Sequence, residues 1–81
     1  MKLLYRLYTE KKPNIEKLVY EYFENFTILS GTGYYKGTKE DSVIIEIIGS
    51  PEDDCSIESL RLLIQEKNNQ ECVLKTIVVA H

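Results

Sequence analysis

The sequence predicts one α+β domain, a ferredoxin-like βαββαβ sandwich in which a four-stranded antiparallel sheet carries two helices on one face. Three observations predict it. Four segments repeat their apolar residues at every second position, two repeat them every three or four, and along the chain they run strand, helix, strand, strand, helix, strand. In the usual form of that order the strands lie as 4-1-3-2, and each strand-helix-strand half crosses over right-handed. With 81 residues the chain has room for a single domain, residues 1–81. A domain this small hides only about two thirds of the surface of its unfolded chain, so it has little stability to spare.

Leu3 to Thr9 opens as a strand, Leu3, Tyr5 and Leu7 alternating with Leu4, Arg6 and Tyr8. The polar stretch Glu10-Lys11-Lys12-Pro13-Asn14 offers Pro13 as a helix-entry residue and Asn14 as a cap. Ile15, Leu18, Val19, Tyr22, Phe23 and Phe26 then share one helical stripe, with Glu16, Lys17, Glu21 and Glu24 off it. This predicts an amphipathic helix with Tyr22 in the core and Tyr20 exposed. From Thr27 to Lys36, β-branched and aromatic residues surround Gly31 and Gly33, the mark of a strand with a bulge or a close backbone approach. Gly37-Thr38-Lys39-Glu40-Asp41 is turn chemistry, and Ser42 to Ile48 follows as the most apolar strand, so these two strands form a hairpin.

Ser50 suits a helix cap, Pro51 a first helical position, and the acids Glu52, Asp53 and Asp54 the positive end of a helix dipole, with Ser56 an alternative cap. Ile57, Leu60, Leu63 and Ile64 supply the buried stripe, and Asn68-Asn69 ends it. Cys72 to Ala80 closes the sheet, Val73, Lys75, Ile77 and Val79 opposing Leu74, Thr76 and Val78.

Apolar residues at 43% and charged residues at 28% are ordinary globular usage, which sets disorder aside. No apolar run approaches the roughly 18 residues of a spanning helix, and Arg6 interrupts any signal-peptide core, so no membrane partner is expected and the cytoplasm is the expected location. A net charge of -3 argues against a polyanion binder. Nucleic acid is not expected as a partner either, because the third strand offers Ile44, Glu46 and Ile48 where base-stacking sheets offer aromatics. Cys55 and Cys72 read as free thiols, and without a CxxC motif they predict no zinc site. His81 is the last residue and is not expected to act as ligand or base. No nucleophile stands beside a base, and the acids near residue 53 serve the helix start. The expectation is therefore a protein that is not an enzyme, with no catalytic residues, metal or cofactor.

Two helices cover only one sheet face, yet both faces are apolar. If Tyr5, Leu7, Val43, Ile45, Ile47, Ile77 and Val79 face the helices, Leu4, Tyr8, Ile44, Ile48, Leu74 and Val78 face away. Large exposed apolar patches mark contact surfaces, so a homo-oligomer, dimer or larger, is expected through Leu4, Tyr8, Ile44, Glu46, Ile48, Leu74 and Val78. Arg6 and Glu46 lie on neighbouring strands of that face, placed either to pair with each other or to contact a ligand or partner.

The one locally unusual stretch runs from Leu29 to Gly37. Gly31 and Gly33 expose backbone amides, Ser30 and Thr32 offer hydroxyls, Tyr34 and Tyr35 offer stacking faces, and Lys36 offers a cation. Two readings fit. In one, Gly31, Thr32, Gly33, Tyr34, Tyr35 and Lys36, with Arg6, bind a small anion such as a nucleotide; in the other, glycine bends an edge strand and a tyrosine packs in the core. A hairpin rather than a helix follows the GxG, so it is not a dinucleotide fingerprint.

The segment Gly31-Thr32-Gly33-Tyr34-Tyr35-Lys36-Gly37, then Glu40, the strand from Ser42 to Ile47, and Asn68-Asn69-Gln70-Glu71 with Val73-Leu74 resemble a group of small bacteriophage and mobile-element proteins. Their pattern is a GTGY[WY]KG segment, a SLIIEI-like strand and an NNQE[SA]VL-like start to the last strand, matched here in order from residue 3 to residue 79. The resemblance implies an accessory protein of the host cell cytoplasm that binds and sequesters something, including nucleotide signals of host defence. The expected function is a non-enzymatic, homo-oligomeric binding protein for a small anionic ligand, possible identities of which include a nucleotide. The alternative is an interaction module that inhibits a host protein through its sheet face or the edge of the second strand. A small hydrolase using a pocket acid such as Glu46 stands third.

Overall fold

In the computed structural model, residues 1–80 are described; His81, and with it the expectation for that residue, lies outside the described residues. The elements are β1 (Lys2–Glu10), α1 (Ile15–Tyr20), β2 (Thr27–Tyr35), β3 (Thr38–Gly49), a single 3-10 turn (Pro51–Asp53), α2 (Asp54–Lys67) and β4 (Leu74–Ala80). The sheet order is β2-β3-β1-β4 with every pairing antiparallel, which is the ferredoxin-like arrangement. Alternation in the two central strands sends Tyr5, Leu7, Val43, Ile45 and Ile47 to one side, where they meet Ile15, Leu18 and Val19 of α1 and Ile57, Leu60 and Ile64 of α2. Burying a side chain of this size stabilises by about 1.5–3 kcal/mol, so this one layer is what holds the domain together.

α1 is shorter than its apolar stripe. It stops at Tyr20, and the next turn tightens, with the Glu21 and Tyr22 amides donating to the Leu18 and Val19 carbonyls. The run Val19-Tyr20-Glu21-Tyr22-Phe23 is β-branched and aromatic, a composition of modest helix propensity. Phe23 and Phe26 still pack on the core from the loop, whereas Tyr22 is 42% exposed, against the expectation that it is buried. Tyr20 is exposed and meets Phe26 edge-on at 4.9 Å. Asn14 makes no side-chain cap; its Nδ2 donates to Asn68 Oδ1 at 2.8 Å, tying the start of α1 to the end of α2. At the other helix, the Ser50 amide donates to Asp53 Oδ2 at 2.9 Å, and the Tyr5 hydroxyl reaches from β1 to the Ser50 carbonyl at 2.8 Å.

The β2–β3 hairpin departs from expectation in two respects. Its turn is the pair Lys36-Gly37, with φ of 50° and 79° between Tyr35 and Thr38, which are directly opposed. Two central residues at positive φ make a type I′ hairpin turn, so Thr38 to Asp41 belong to β3 rather than to a loop. The pairing is also one-to-one from Thr27 to Tyr35, without a bulge. The close approach is at Gly33, where a Cβ would sit 2.5 Å from Ser42 Oγ, while Gly31 has open space.

Candidate functional site

β1 ends at Glu10 opposite Ser42, and the Lys11 amide donates to the Asp41 carbonyl at 2.9 Å. Beyond that point β2 and β3 pair only with each other, so the hairpin projects past the sheet as a two-stranded arm. Its tyrosine end is tied back across the gap: the Tyr35 hydroxyl donates to Glu71 Oε2 at 2.8 Å, which also raises the Tyr35 phenol above its usual range. Between arm and sheet, on the face away from the helices, lies a cavity of about 540 Å³. Ligand sites of small molecules fall in this size range.

Tyr8, Ile44 and Leu74 form its apolar floor, one from each of three adjacent strands. Gly31, Thr32, Gly33, Tyr34 and Tyr35 contribute the arm side, Glu40 and Ser42 the β3 side, and Glu10, Gln70 and Cys72 the end near α2. Glycine at 31 and 33 keeps the arm's inner surface free of side chains. A second cavity of about 170 Å³ lies on the other side of the Tyr35–Glu71 bond and shares Glu10, Tyr35, Glu40, Gln70 and Cys72 with the first.

Of the residues expected to bind ligand, Gly31, Thr32, Gly33, Tyr34 and Tyr35 come together around this cavity. Arg6 and Lys36 do not. Arg6 is directly opposite Glu46, and its Nε donates to Glu46 Oε2 at 2.7 Å, an ion pair that raises the Arg6 pKa. Lys36 is in the turn at the hairpin tip, its ammonium 5.6 Å from the centre of the Tyr35 ring. The charged lining residues are Glu10 and Glu40; Glu10 is ion-paired with Lys12, whose Nζ lies 3.3 Å from its Oε1, so Glu40 is the lining carboxylate without an ion-pair partner among the described residues. That carboxylate leaves the lining with a surplus of negative charge. Neither tyrosine of the arm packs in the core, both being exposed. Glu10, Glu40, Ser42 and Gln70 were not among the residues expected to bind ligand; once Glu40, like Ser42, is counted as strand, the alternation with Asp41 and Val43 places both on the side of Tyr35.

The interface residues expected from the pattern share one face as anticipated. Ile48 and Leu74 are 67% and 56% exposed and Val78 is exposed, while Leu4, Tyr8, Ile44 and Glu46 are half-buried by their own neighbours. Ile77 and Val79 lie on the helix side of β4 but remain exposed, against the expectation that they are covered there; α2 reaches this strand through Lys75. Across α2 and β4, Glu58 accepts from Arg61 Nε at 3.0 Å and Lys75 Nζ at 3.3 Å, and Arg61 above all brings its carboxyl down to about 2. Cys55 and Cys72 are free and exposed. Among the described residues no group of three His, Cys, Asp or Glu side chains is placed to hold a metal ion, and no helix is long and apolar enough to cross a membrane.

Solved structures share this fold. A DUF3240 family protein from Shewanella baltica OS155 superposes with a TM-score of 0.78 at 13% identity, over 99% of this chain and 90% of that one. A phage SAM lyase in its apo state gives 0.71 at 23% identity, over 94% and 78% of the two chains. CutA from Synechococcus elongatus PCC7942 gives 0.64 at 10% identity, over 98% and 76%. Identities this low establish a common fold and nothing more. No protein-family model and no curated protein matches the sequence.

Proposed function

We propose that this is a small-molecule-binding protein whose open-face cavity captures a positively charged adenosine compound, S-adenosylmethionine or a close relative, and holds it without turnover. The observation that carries the reading is the lining: the Glu40 carboxylate, without an ion-pair partner among the described residues, beside Tyr8, Tyr34 and Tyr35, with Glu10 held by Lys12. Tyrosine faces accept a flat base by stacking and attract a cation. A carboxylate some 4 Å from a positive charge at a protein surface contributes up to about 4 kcal/mol. A nucleotide phosphate in the same place meets the Glu40 carboxylate instead, so this reading takes a cationic ligand in place of the anionic one expected from the sequence. The fold shared with a phage SAM lyase supports the choice of ligand, and the resemblance to phage accessory proteins supports sequestration as the role.

The binding unit in this reading is a homo-oligomer. On the open face the apolar rows Leu4-Ile48-Val78 and Tyr8-Ile44-Leu74 flank the polar row Arg6-Glu46-Thr76, and the second of them is the cavity floor, so in this reading the assembly surface adjoins the ligand site. Sedimentation should give a mass above that of one chain; a monomer at high concentration removes this part.

Isothermal titration with S-adenosylmethionine, its uncharged-sulfur analogue S-adenosylhomocysteine, adenosine and AMP tests the ligand. Affinity should fall in that order, and Glu40→Gln should erase most of the difference between the first two. Equal or tighter binding of AMP overturns the charge argument. Chromatography of the recovered ligand should return it intact, and a released nucleoside product would make the protein an enzyme.

A further inference from the structure

The end of α2 places one more group in this cavity. Asn69 takes the left-handed conformation at φ 51°, and the Gln70 amide closes the helix by donating to the Gln65 carbonyl at 3.0 Å. This turn delivers the Gln70 side chain to β1. There its Oε1 accepts from the buried Thr9 hydroxyl at 2.8 Å and from the Glu10 backbone amide at 3.3 Å. A backbone N–H can only donate, so the amide oxygen belongs at this end and the side chain cannot be flipped. The nitrogen is consequently left on the far side, and Gln70 Nε2 is buried without a hydrogen-bond partner. Gln70 lines both cavities.

Buried donors without partners are few in folded proteins, and each calls for a group that completes it. Resting on the function proposed above, we infer that Gln70 is the residue that selects the base: its Nε2 donates to a ring nitrogen of the bound purine. The acceptor is neutral in this assignment, because Glu40 repels an anionic one, and it is planar, because Tyr8 and Tyr35 flank the same space. Thr9 acts as a positioning residue, holding the oxygen so that the nitrogen stays at the opposite end of the amide, and the bound base must displace the atoms that cover Nε2 in the free chain.

Gln70→Glu separates this role from charge. The substitution keeps an oxygen for Thr9 and Glu10 and replaces the donor with an acceptor. For a cationic ligand the added negative charge alone predicts tighter binding, whereas loss of the donor predicts weaker binding. Titration with S-adenosylmethionine should show affinity reduced about tenfold, the equivalent of one hydrogen bond. Unchanged or tighter binding by the variant overturns the assignment and leaves the function standing. A wild-type chain that binds no adenosine compound overturns both.

A ligand series on the wild-type chain covers the case of a variant that does not fold. Among 1-, 3- and 7-deazaadenosine, each with one ring nitrogen replaced by CH, one should bind about tenfold more weakly than adenosine. Equal binding of all four means that a water molecule, not the base, completes Gln70, and the assignment fails.

Discussion

Replacing Tyr5 by phenylalanine tests how the sheet is fastened to the start of α2. Tyr5 is fully buried in β1, and its hydroxyl donates to the Ser50 carbonyl at 2.8 Å. That carbonyl also accepts from the Asp53 amide at 3.0 Å, so loss of the hydroxyl leaves it with one partner rather than none. The cost is then that of a net hydrogen bond, about 1 kcal/mol, and not the larger penalty of an orphaned group. For a domain of this size the equivalent fall in Tm is about 4–8 °C. The sign with pH follows from the phenol, which burial first and then Asp54, Asp53 and Glu52 hold above its usual value of 10.0. Below pH 10.0 both states keep the proton and Tyr5 contributes in full. As pH rises past that value the unfolded chain ionises first, and stability falls. Urea denaturation of both proteins from neutral to alkaline pH should show a constant gap that narrows at the alkaline end. A loss under about 0.3 kcal/mol, or a gap that widens with pH, would refute the account.

Gly31→Ala should leave stability equal or raise it by up to about 1 kcal/mol, since its Cβ meets open space, while Gly37→Ala should cost about 1–2 kcal/mol at φ 79°; thermal melts decide. The same Gly31 methyl stands on the cavity's arm side and should weaken S-adenosylmethionine binding in titration. Glu58→Gln should remove an acid-dependent component of stability. The Glu58 carboxyl is depressed from 4.5 to about 2, so its contribution is present above 4.5 and is lost as pH falls through about 2. Acid titrations of wild type and variant should therefore converge at low pH. Arg6 and Glu46, half-exposed on the sheet face, should couple by less than about 1 kcal/mol in a double-mutant cycle, and salt should weaken the coupling.

The fold was legible because its signals are of long range in the chain. Alternation over Leu3 to Thr9 and Ser42 to Ile48, and the stripe Ile57, Leu60 and Ile64, each bury one side of an element, and a slip of one residue would invert them. What misled was local. The stripe from Ile15 to Phe26 reads as a continuous helix because Phe23 and Phe26 do pack on the core, but from a tightened turn and a loop. Gly37 to Asp41 has turn composition, yet a two-residue turn at Lys36-Gly37 already reverses the chain. That error hid Glu40 from the site. The glycine-tyrosine segment was visible as a site wall, while the sign of its charge was not, since Glu40 read as turn and Glu10 joins it only through the end of β1. Arg6 read either as the partner of Glu46 or as a ligand contact, and the register and the 2.7 Å bond between them favour the pair.

The stretch from Thr32 to Asp41 contributes no side chain to the buried cluster beneath the sheet. Gly33 and Gly37 apart, residues there can be exchanged at small cost to folding, while such changes alter the wall and rim of the cavity. What the arm recognises can therefore change without disturbing the scaffold.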